Sequence, residues 1–274
     1  MKRFNGKALY CPKGAAKEYS EWACNFFTGC SNDCEYCYCK RGVMSHVWDT
    51  TPHLKKCFKD FAHAMEVFKK ELMANRKEIG GKGLLFSFTT DPMIPNETFG
   101  LTMDAVNFAL SVSVNVQILT KRTEWMERDV WKRNIDFYQK NKNKIAIGFT
   151  LTGRDDLERG ASSNMERILA MKKLHEMGFH TFASIEPIVD LESADRVISD
   201  SVPYCELFKI GLMSGGKKPD RDKLLDFVDR WNRTFGKYGK KVYWKKSVKD
   251  YLGDDFTLWM DSCVDADFNI FKQD

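Results

Sequence analysis

The sequence predicts an α/β fold whose parallel sheet forms a closed or partly closed (β/α) barrel. Short apolar segments typical of strands alternate with longer segments in which apolar residues recur at helical spacing. Six such βα units follow one another, and parallel strands need crossover connections, which are usually helical. Several strand segments are apolar almost throughout, as expected when both faces of a sheet are covered. A doubly wound open sheet is the alternative, but the first βα loop has no G-x-G-x-x-G motif for a dinucleotide.

The strand segments are rich in β-branched and aromatic residues and lie between turn signals. The predicted strands are residues 22–28 (WACNFFT), 83–89 (GLLFSFT), 114–120 (VNVQILT), 144–150 (KIAIGFT), 180–189 and 206–212. The predicted helices between them are residues 57–77, 103–112, 124–141, 163–177 and 193–199. In the first helix, apolar residues recur from Phe58 to Leu72, and Gly80 follows its end. In the fourth helix, Ser163 is a suitable N-cap and Gly178 lies just past the end.

The alternation changes after Gly215. Residues 221–235 predict a helix, residues 241–245 (KVYWK) predict a strand, and a polar tail follows. We therefore expect residues 1–215 to form the barrel with its N-terminal lead-in. Residues 216–274 are expected to form a C-terminal helix/strand extension, packed on the barrel as part of one structural unit.

Composition and charge set only broad limits. No run of about 18 or more apolar residues occurs, so we expect no membrane span. The first residues lack the apolar stretch of a secretory signal, which makes a cytoplasmic location the expectation. The net charge of +5 is compatible with a polyanionic partner, but the basic residues are scattered as doublets and do not identify one.

Four of the nine cysteines lie within ten residues, which is typical of a metal site. A disulfide framework is not expected, since cytosolic thiols are kept reduced. Cys30, Cys34 and Cys37 have C-x3-C-x2-C spacing directly after the first predicted strand. Three thiolates can hold three corners of a [4Fe–4S] cluster and leave the fourth iron open to chelate a small molecule.

A structural zinc site is the alternative interpretation of this loop. Zinc sites usually close with two ligand pairs, and the sequence has neither a second C-x2-C pair nor an H-x3-H pair. Cys39 could be a fourth ligand, but a fourth thiolate would occupy the open iron. We therefore interpret Cys39 as a neighbour without a ligand role, and Cys24 in the first strand as buried core.

The cysteine motif, with Tyr36 before its last cysteine, resembles the signature of the radical SAM superfamily. The flanking residues resemble the spore photoproduct lyase-like, or "DNA repair photolyase", branch. These are Tyr10, Pro12-Lys13-Gly14, Glu18-Tyr19-Ser20, Asn25, Gly29 through Tyr38, Asp91-Pro92, Pro95-Asn96-Glu97 and Thr120-Lys121. Ser184-Ile185-Glu186-Pro187 and Val242-Tyr243-Trp244-Lys245 instead resemble a related set of phage-type radical SAM proteins. The similarity is specific over residues 8–40 and looser over residues 83–215.

This resemblance implies a partial (β/α)6 TIM-type barrel that holds a [4Fe–4S] cluster on Cys30, Cys34 and Cys37. S-adenosyl-L-methionine (SAM) is implied as the second cofactor, cleaved reductively to a 5′-deoxyadenosyl radical with electrons from an external flavodoxin- or ferredoxin-like donor. The branch implies a nucleic acid or nucleotide substrate, including the repair of a pyrimidine lesion. The alternatives are a radical SAM enzyme acting on a peptide or small molecule, and a non-catalytic zinc- or cluster-binding module.

Polar residues at the carboxyl ends of the strands are the candidates for cofactor contacts, because (β/α) barrels carry their active sites there. Thr90 and Asp91 stand where the superfamily usually has a glycine-rich segment for the methionyl amine, with a turn Asp as the alternative. The resemblance implies that Lys121 holds the SAM carboxylate, whereas a solvated lysine is the alternative. Tyr36, beside the last cysteine, is counted with these cofactor-binding residues.

Three further cofactor-binding candidates lie in or after the fourth strand. Thr150 and Thr152 could bond the ribose hydroxyls, although Thr is also common in strands. Arg167 is expected from related sequences to meet the SAM carboxylate, since its planar fork suits that ion. A salt bridge to Glu166 or Asp155 is the alternative for Arg167.

The fifth and sixth strands each carry one charged candidate. Glu186 is expected to contact the substrate or SAM, because an unpaired carboxylate in an apolar strand is costly to bury. Lys209 could pair with it. No catalytic hydrogen-atom donor is identifiable; the thiols and the phenol considered are Cys57, Tyr204, Cys205 and Cys263, each of which fits the core as well. The sequence has no late group of cysteines, so one cluster is expected.

Overall fold

The structure, a computed structural model, describes residues 3–256 and 261–272. Its strands are β1 (Leu9–Tyr10), β2 (Ala23–Cys24), β3 (Phe27–Thr28), β4 (His53–Leu54), β5 (Leu84–Phe86), β6 (Val116–Thr120), β7 (Ile145–Thr150), β8 (His180–Ile188), β9 (Leu207–Leu212) and β10 (Lys241–Trp244). Its α-helices are α1 (Phe61–Ile79), α2 (Phe99–Ser111), α3 (Asp129–Arg133), α4 (Ile135–Lys140), α5 (Asn164–Glu176), α6 (Leu191–Ser201), α7 (Arg221–Lys237) and α8 (Lys246–Leu252). None of these described helices combines the length and the apolar character needed to span a membrane.

Eight strands form one sheet in the order β1-β2-β5-β6-β7-β8-β9-β10. Every neighbouring pair from β2 to β10 is parallel, and β1 lies antiparallel at the edge. The predicted α/β fold with a mostly parallel sheet is confirmed. Successive strands are added on one side, without the reversal of order that defines a doubly wound sheet, so that alternative is wrong.

The two faces of this sheet are covered differently. Side chains alternate along a strand, so that Leu84 and Phe86 belong to the main core while Leu85 belongs to a smaller cluster on the opposite face. The buried apolar residues of α1, α2, α5, α6 and α7 are all part of the main core. Tyr19, from the N-terminal segment, and Ile270, near the C-terminus, cover the smaller cluster. The segments around Tyr19 and Ile270 therefore pack on the face that the helices leave open.

Four of the described helices are preceded by a residue whose side chain accepts a hydrogen bond from a backbone N–H of the first turn. Asp60 caps α1, Asp190 caps α6 and Asp220 caps α7 in this way. Ser163 caps α5 and forms a capping box with Glu166, so the predicted cap is confirmed.

The segment 124–141, predicted as mainly helix, is broken into a 3-10 turn, α3 and α4. Asn134 separates the two helices, and its Nδ2 donates to Val130 O at 2.8 Å. Such a local side-chain bond offers the backbone an alternative to a continuous helix. The short pieces are held by packing, with the rings of Trp131 and Tyr138 stacked at a centroid distance of 4.7 Å.

The predicted first strand is split at Asn25. β2 lies in the main sheet, whereas β3 pairs with β4 in a separate antiparallel ribbon. Asn25 fixes the break because its Nδ2 donates to Tyr10 Oη at 2.6 Å and its Oδ1 accepts from Phe88 N at 2.9 Å. The strands β1 and β4 were not predicted, and neither was α8, which occupies part of the segment interpreted as a polar tail.

Candidate functional site

A cavity of about 540 Å³ opens at the carboxyl ends of the parallel strands. The loops after β3, β5, β6, β9 and β10 contribute lining residues, and so do the carboxyl-terminal parts of β7 and β8. This edge is where (β/α) folds carry their active sites. The predicted cofactor-binding residues that line it are Tyr36, Thr90, Asp91, Lys121, Thr150 and Glu186.

Cys30, Cys34 and Cys37 all line this cavity. Across residues 3–256 and 261–272, no three His, Cys, Asp or Glu side chains are grouped so that they could hold a metal ion. Burial raises the pKa of the Cys30 thiol to about 12 and also raises the pKa of Cys34. The pKa of Cys37 is lowered to about 6, chiefly because the Cys39 thiol donates a hydrogen bond to it. Cys39 itself is buried and does not line the cavity.

Three buried polar atoms at the cavity lack a hydrogen-bond partner within the described part of the chain. They are Asn32 Oδ1, Trp48 Nε1 and Thr90 Oγ1. Buried polar groups are nearly always hydrogen-bonded, so such atoms at a cavity indicate a place for a ligand. Two oxygens and one N–H donor beside three thiols fit a cofactor set that has both an iron–sulfur part and a polar organic part.

Asp91 connects the cysteine loop to the strand ends. Its Oδ2 accepts from Asn32 Nδ2 at 2.8 Å and from Lys121 N at 2.7 Å. Its Oδ1 accepts from Thr120 Oγ1 at 2.7 Å and from a backbone N–H of its own turn at 3.0 Å. Both carboxylate oxygens are therefore engaged in ordering the loop. The hydroxyl of Thr90 is the neighbouring polar group that lies at the cavity without a partner in the described residues.

The buried carboxylate of Glu158 connects three of the predicted site residues. It accepts from Tyr36 Oη and, at 2.6 Å, from Arg167 Nη2, and Lys121 Nζ lies 4.0 Å away. Burial works to lower the pKa of Lys121, but the charges of Cys34 and Glu158 outweigh it and the pKa is raised. Sequence analysis did not identify Glu158 as a site residue, because an acidic residue in a polar loop belongs to no motif or periodic pattern.

Arg167 and Thr152 do not line the cavity. The Arg167 side chain is fully buried, and besides Glu158 it donates to two backbone carbonyl oxygens at 2.7 and 2.8 Å. Arg167 thus lies behind Glu158 in this structure, and its direct contact with the SAM carboxylate stays a prediction. The alternative of a salt bridge holds, but with neither of the two acids considered from the sequence. Thr152 is buried as well, and its Oγ1 accepts from Arg154 N within its own loop at 3.2 Å.

The loop of residues 154–162 packs directly against the cysteine loop. Gly160 N donates to Asn32 O at 3.1 Å, and Glu35 N donates to a carbonyl oxygen of the 154–162 loop at 2.9 Å. The backbones approach so closely that a Cβ at Gly160 would lie 1.9 Å from Ser31 O. The position of the three cysteines thus depends on a loop more than 100 residues further along the chain.

A second group of polar residues lines the wall formed by β8, β9 and β10. Tyr19 Oη lies 2.5 Å from Ser184 Oγ and donates to Glu186 Oε2 at 2.7 Å. Lys245 Nζ contacts the same Glu186 oxygen at 2.5 Å and Glu18 Oε2 at 3.4 Å. Glu186 thus faces the cavity as part of a hydrogen-bonded network, as its place at the strand end predicted.

Lys209, considered from the sequence as the partner of Glu186, bonds elsewhere. Its Nζ donates to the backbone oxygens of Glu18 at 3.0 Å and Tyr19 at 2.9 Å, so the predicted pairing is wrong and Lys245 takes that place. Burial and, next, the charge of Lys245 lower the pKa of Lys209 to about 7.

The four residues considered as hydrogen-atom donors do not line the cavity. Cys205 is buried, and its thiol donates to Leu207 O at 3.2 Å. Cys57, Tyr204 and Cys263 pack against the main core. Their interpretation as packing residues therefore fits their positions.

Comparison with known proteins identifies a relative by sequence and several solved structures by fold. No protein-family model matches the chain. The uncharacterized protein MJ0683 of Methanocaldococcus jannaschii is 26% identical over 199 residues, which are 69% of this chain and 69% of that protein.

Solved structures of spore photoproduct lyase resemble this structure. One mutant aligns with a TM-score of 0.60 and 12% identity, covering 89% of this chain and 79% of the other. Another mutant, with bound AdoMet (SAM) and dinucleoside spore photoproduct, aligns with a TM-score of 0.59 and 14% identity, covering 85% and 78%. The resemblance to the spore photoproduct lyase-like branch, predicted from the motifs, is confirmed at the level of the fold.

Proposed function

We propose that this chain is a radical SAM enzyme that holds a [4Fe–4S] cluster on Cys30, Cys34 and Cys37 and binds SAM in the adjoining cavity. The observation that carries this proposal is the convergence of the three thiols on one cavity at the strand ends, beside buried polar atoms without partners. The fold shared with a SAM-bound lyase supports it. The proposal takes the singly wound sheet as a partial (β/α)6 barrel and residues 216–274 as an extension packed on it.

When bound, the cluster and SAM supply the radical chemistry, in which one electron cleaves the sulfonium to give a 5′-deoxyadenosyl radical. The chain's own contribution begins with the thiols. Cys30 and Cys34, with raised pKa values, release protons on ligation, whereas Cys37 is already poised as a thiolate by the hydrogen bond from Cys39.

The polar residues around the thiols suit the amino-acid end and the ribose of SAM. Lys121 carries the positive charge for a carboxylate, and its ammonium is held near the cavity by Glu158. Asn32 Oδ1 and Thr90 Oγ1 are acceptors for an ammonium group, and Thr150 lines the cavity as a candidate for a ribose hydroxyl.

We further propose that the substrate is a nucleic acid or nucleotide and that the reaction is of the lyase or transferase type, including DNA repair. The related lyase structure with dinucleoside spore photoproduct supports this class. Lys13 and Arg41 line the cavity, and neither has an acidic partner among the described residues. Tyr38 and Phe88 add aromatic surface for a base. A radical SAM enzyme of peptides or small molecules, and a non-catalytic zinc- or cluster-binding module, are the competing functions.

The proposal also includes the electron donor and the cellular location of the reaction. A flavodoxin- or ferredoxin-like protein would deliver the electron, and the protein would work in the cytoplasm. Both follow from the need for a low-potential one-electron donor and a reducing environment.

Anaerobic reconstitution with iron and sulfide, followed by dithionite and SAM, tests the proposal. The wild type is expected to bind about four irons per chain and to form 5′-deoxyadenosine. Cys37→Ala is expected to lose both, whereas Cys39→Ser keeps the iron because Cys39 is not a ligand. Metal analysis that finds zinc without iron, or loss of iron in Cys39→Ser equal to that in Cys37→Ala, contradicts the proposal.

A further inference from the structure

The two carboxylate oxygens of Glu186 have different surroundings. Oε2 accepts from Tyr19 Oη at 2.7 Å and from Lys245 Nζ at 2.5 Å. Oε1 has no hydrogen-bond donor within residues 3–256 and 261–272. Because the Glu186 side chain is 21% exposed and lines the cavity, Oε1 is an acceptor available to a ligand.

The groups behind Glu186 are buried and fixed. The Lys245 side chain is only 1% exposed, and Nζ also lies 3.4 Å from Glu18 Oε2 and donates to Ala15 O at 3.3 Å. Tyr19 is held from the other side, because Lys209 donates to its backbone oxygen. Replacing a buried ion pair by apolar residues is often neutral or stabilising, so this network is poorly explained by stability alone.

Gly211, on β9 between Glu186 on β8 and Lys245 after β10, makes the ion pair sterically feasible. A Cβ at Gly211 would lie 2.9 Å from Glu186 Oε1 and 3.0 Å from Lys245 Cδ. Any side chain at this position would therefore displace the carboxylate and crowd Oε1. Glycine is needed here for the close approach of two side chains; its φ angle is ordinary.

Apart from Glu186 itself, the predicted cofactor contacts lie outside the strands β8, β9 and β10 that carry this network. The cysteine loop contacts the ends of β5, β6 and β7 through Asp91, Lys121 and Glu158. Glu186, Gly211 and Lys245 belong instead to β8, β9 and the residue after β10. The cavity thus has two polar walls, and the second begins on β8, the neighbour of the strand β7 that carries Thr150.

We propose that Glu186 is the residue that recognises the substrate, its Oε1 accepting a hydrogen bond from an N–H group of a nucleobase. This inference rests on the proposed function and names the contact that selects the substrate. Lys245 neutralises Glu186, which favours a neutral N–H donor over a cationic group. A phosphate is disfavoured at the carboxylate. The aromatic rings of Tyr19 and Phe88, whose centroids lie 6.0 Å apart, provide an apolar side for a planar base.

Binding of the four nucleoside 5′-monophosphates tests this proposal, measured by calorimetry on reconstituted protein with SAM present. The wild type is expected to bind at least one of them. Glu186→Gln and Gly211→Ala are expected to weaken that binding by about tenfold or more, since each removes or displaces a charged acceptor. Gly211→Ala retains every polar group, and the atoms nearest to its methyl group belong to side chains and not to the backbone, so it is expected to fold.

Two matched control variants test whether the loss of nucleotide binding is specific to Glu186 and Gly211. Glu206→Gln changes a partly buried glutamate that lies 2.8 Å from His180 Nδ1, just before the opposite end of β9, and Gly100→Ala adds a methyl group where no atom lies within 4 Å. Both are expected to bind the nucleotide as the wild type does. Ribose 5-phosphate serves as a probe without a base and is expected to show no dependence on Glu186.

Three outcomes overturn the inference: no binding of any nucleotide by the wild type, wild-type affinity in both Glu186→Gln and Gly211→Ala, or equal sensitivity of ribose 5-phosphate to these changes. Substrate-free formation of 5′-deoxyadenosine is measured in the same samples and is expected to be equal in the wild type and in the two controls, Glu206→Gln and Gly100→Ala. Its absence from the wild type would contradict the proposed function, whatever the nucleotide affinities are.

Discussion

The carboxylate of Glu158 and the guanidinium of Arg167 form an ion pair in which neither side chain is exposed. We expect Glu158→Gln to lower the free energy of unfolding by about 3–5 kcal/mol, because it leaves a buried arginine without a counter-charge. Urea unfolding of the apoprotein measures this. The double variant Glu158→Gln/Arg167→Met is expected to recover part of the loss, and equal stability of Glu158→Gln and the wild type would contradict the assignment.

Lys209 is expected to make stability depend on pH. Burial and Lys245 lower its folded-state pKa to about 7, while Glu18 and Glu186 act in the opposite direction. Below that pH, Lys209 is protonated in both the folded and the unfolded states. As the pH rises from about 7 toward the unfolded-state value near 10.4, the folded state loses the proton first, so the unfolded state binds more protons and stability increases.

Comparison with Lys209→Met separates the effect of Lys209 on the pH dependence of stability from the effect of the cysteines. The stability of the wild type relative to the variant is expected to increase by up to about 1.4 kcal/mol per pH unit above pH 7. Urea unfolding at several pH values measures the difference. A difference that stays constant, or that decreases with rising pH, would show that Lys209 does not titrate in this range.

The elements predicted best from the sequence are those whose pattern of apolar residues matches their burial in the fold. β7, β8 and β9 lie within two residues of their predicted limits, because apolar β-formers coincide with positions buried on both faces. The helix predicted over residues 124–141 is interrupted at Asn134, whose side chain donates to the backbone oxygen of Val130. The pairing of β3 with β4 was not predicted for another reason. Strands of two residues are too short to show a periodic pattern of apolar residues.

The contact between the cysteine loop and the 154–162 loop makes Gly160 sensitive to substitution. Gly160→Ala is expected to push the loops apart, to cost about 1–3 kcal/mol of stability and to reduce the iron bound after reconstitution, because its Cβ would meet Ser31 O at 1.9 Å. Gly81→Ala, whose Cβ would meet its nearest atom at 3.9 Å, is the matched control. Equal iron content and stability in both variants would show that the two loops are not coupled.

At the scale of the whole molecule, the sequence located the site but assigned a role to only one residue of its second wall, Glu186. The cysteines and the strand-end residues Asp91, Lys121 and Glu186 could be found because local motifs and strand ends mark them. Tyr19 could not be assigned, because it lies in an irregular segment and meets Ser184 across 165 residues of sequence. Only the folded sheet, with the chain's N-terminal segment packed on its open face, brings these groups together.

The central claim is that three thiolates hold an iron–sulfur cube and leave one iron free for SAM. Electron paramagnetic resonance of the reconstituted, dithionite-reduced protein, recorded with and without SAM, tests it most directly. We predict a [4Fe–4S]+ signal whose g values change when SAM is added. A protein loaded with iron and sulfide that shows no such signal, or a signal that SAM leaves unchanged, would contradict the account.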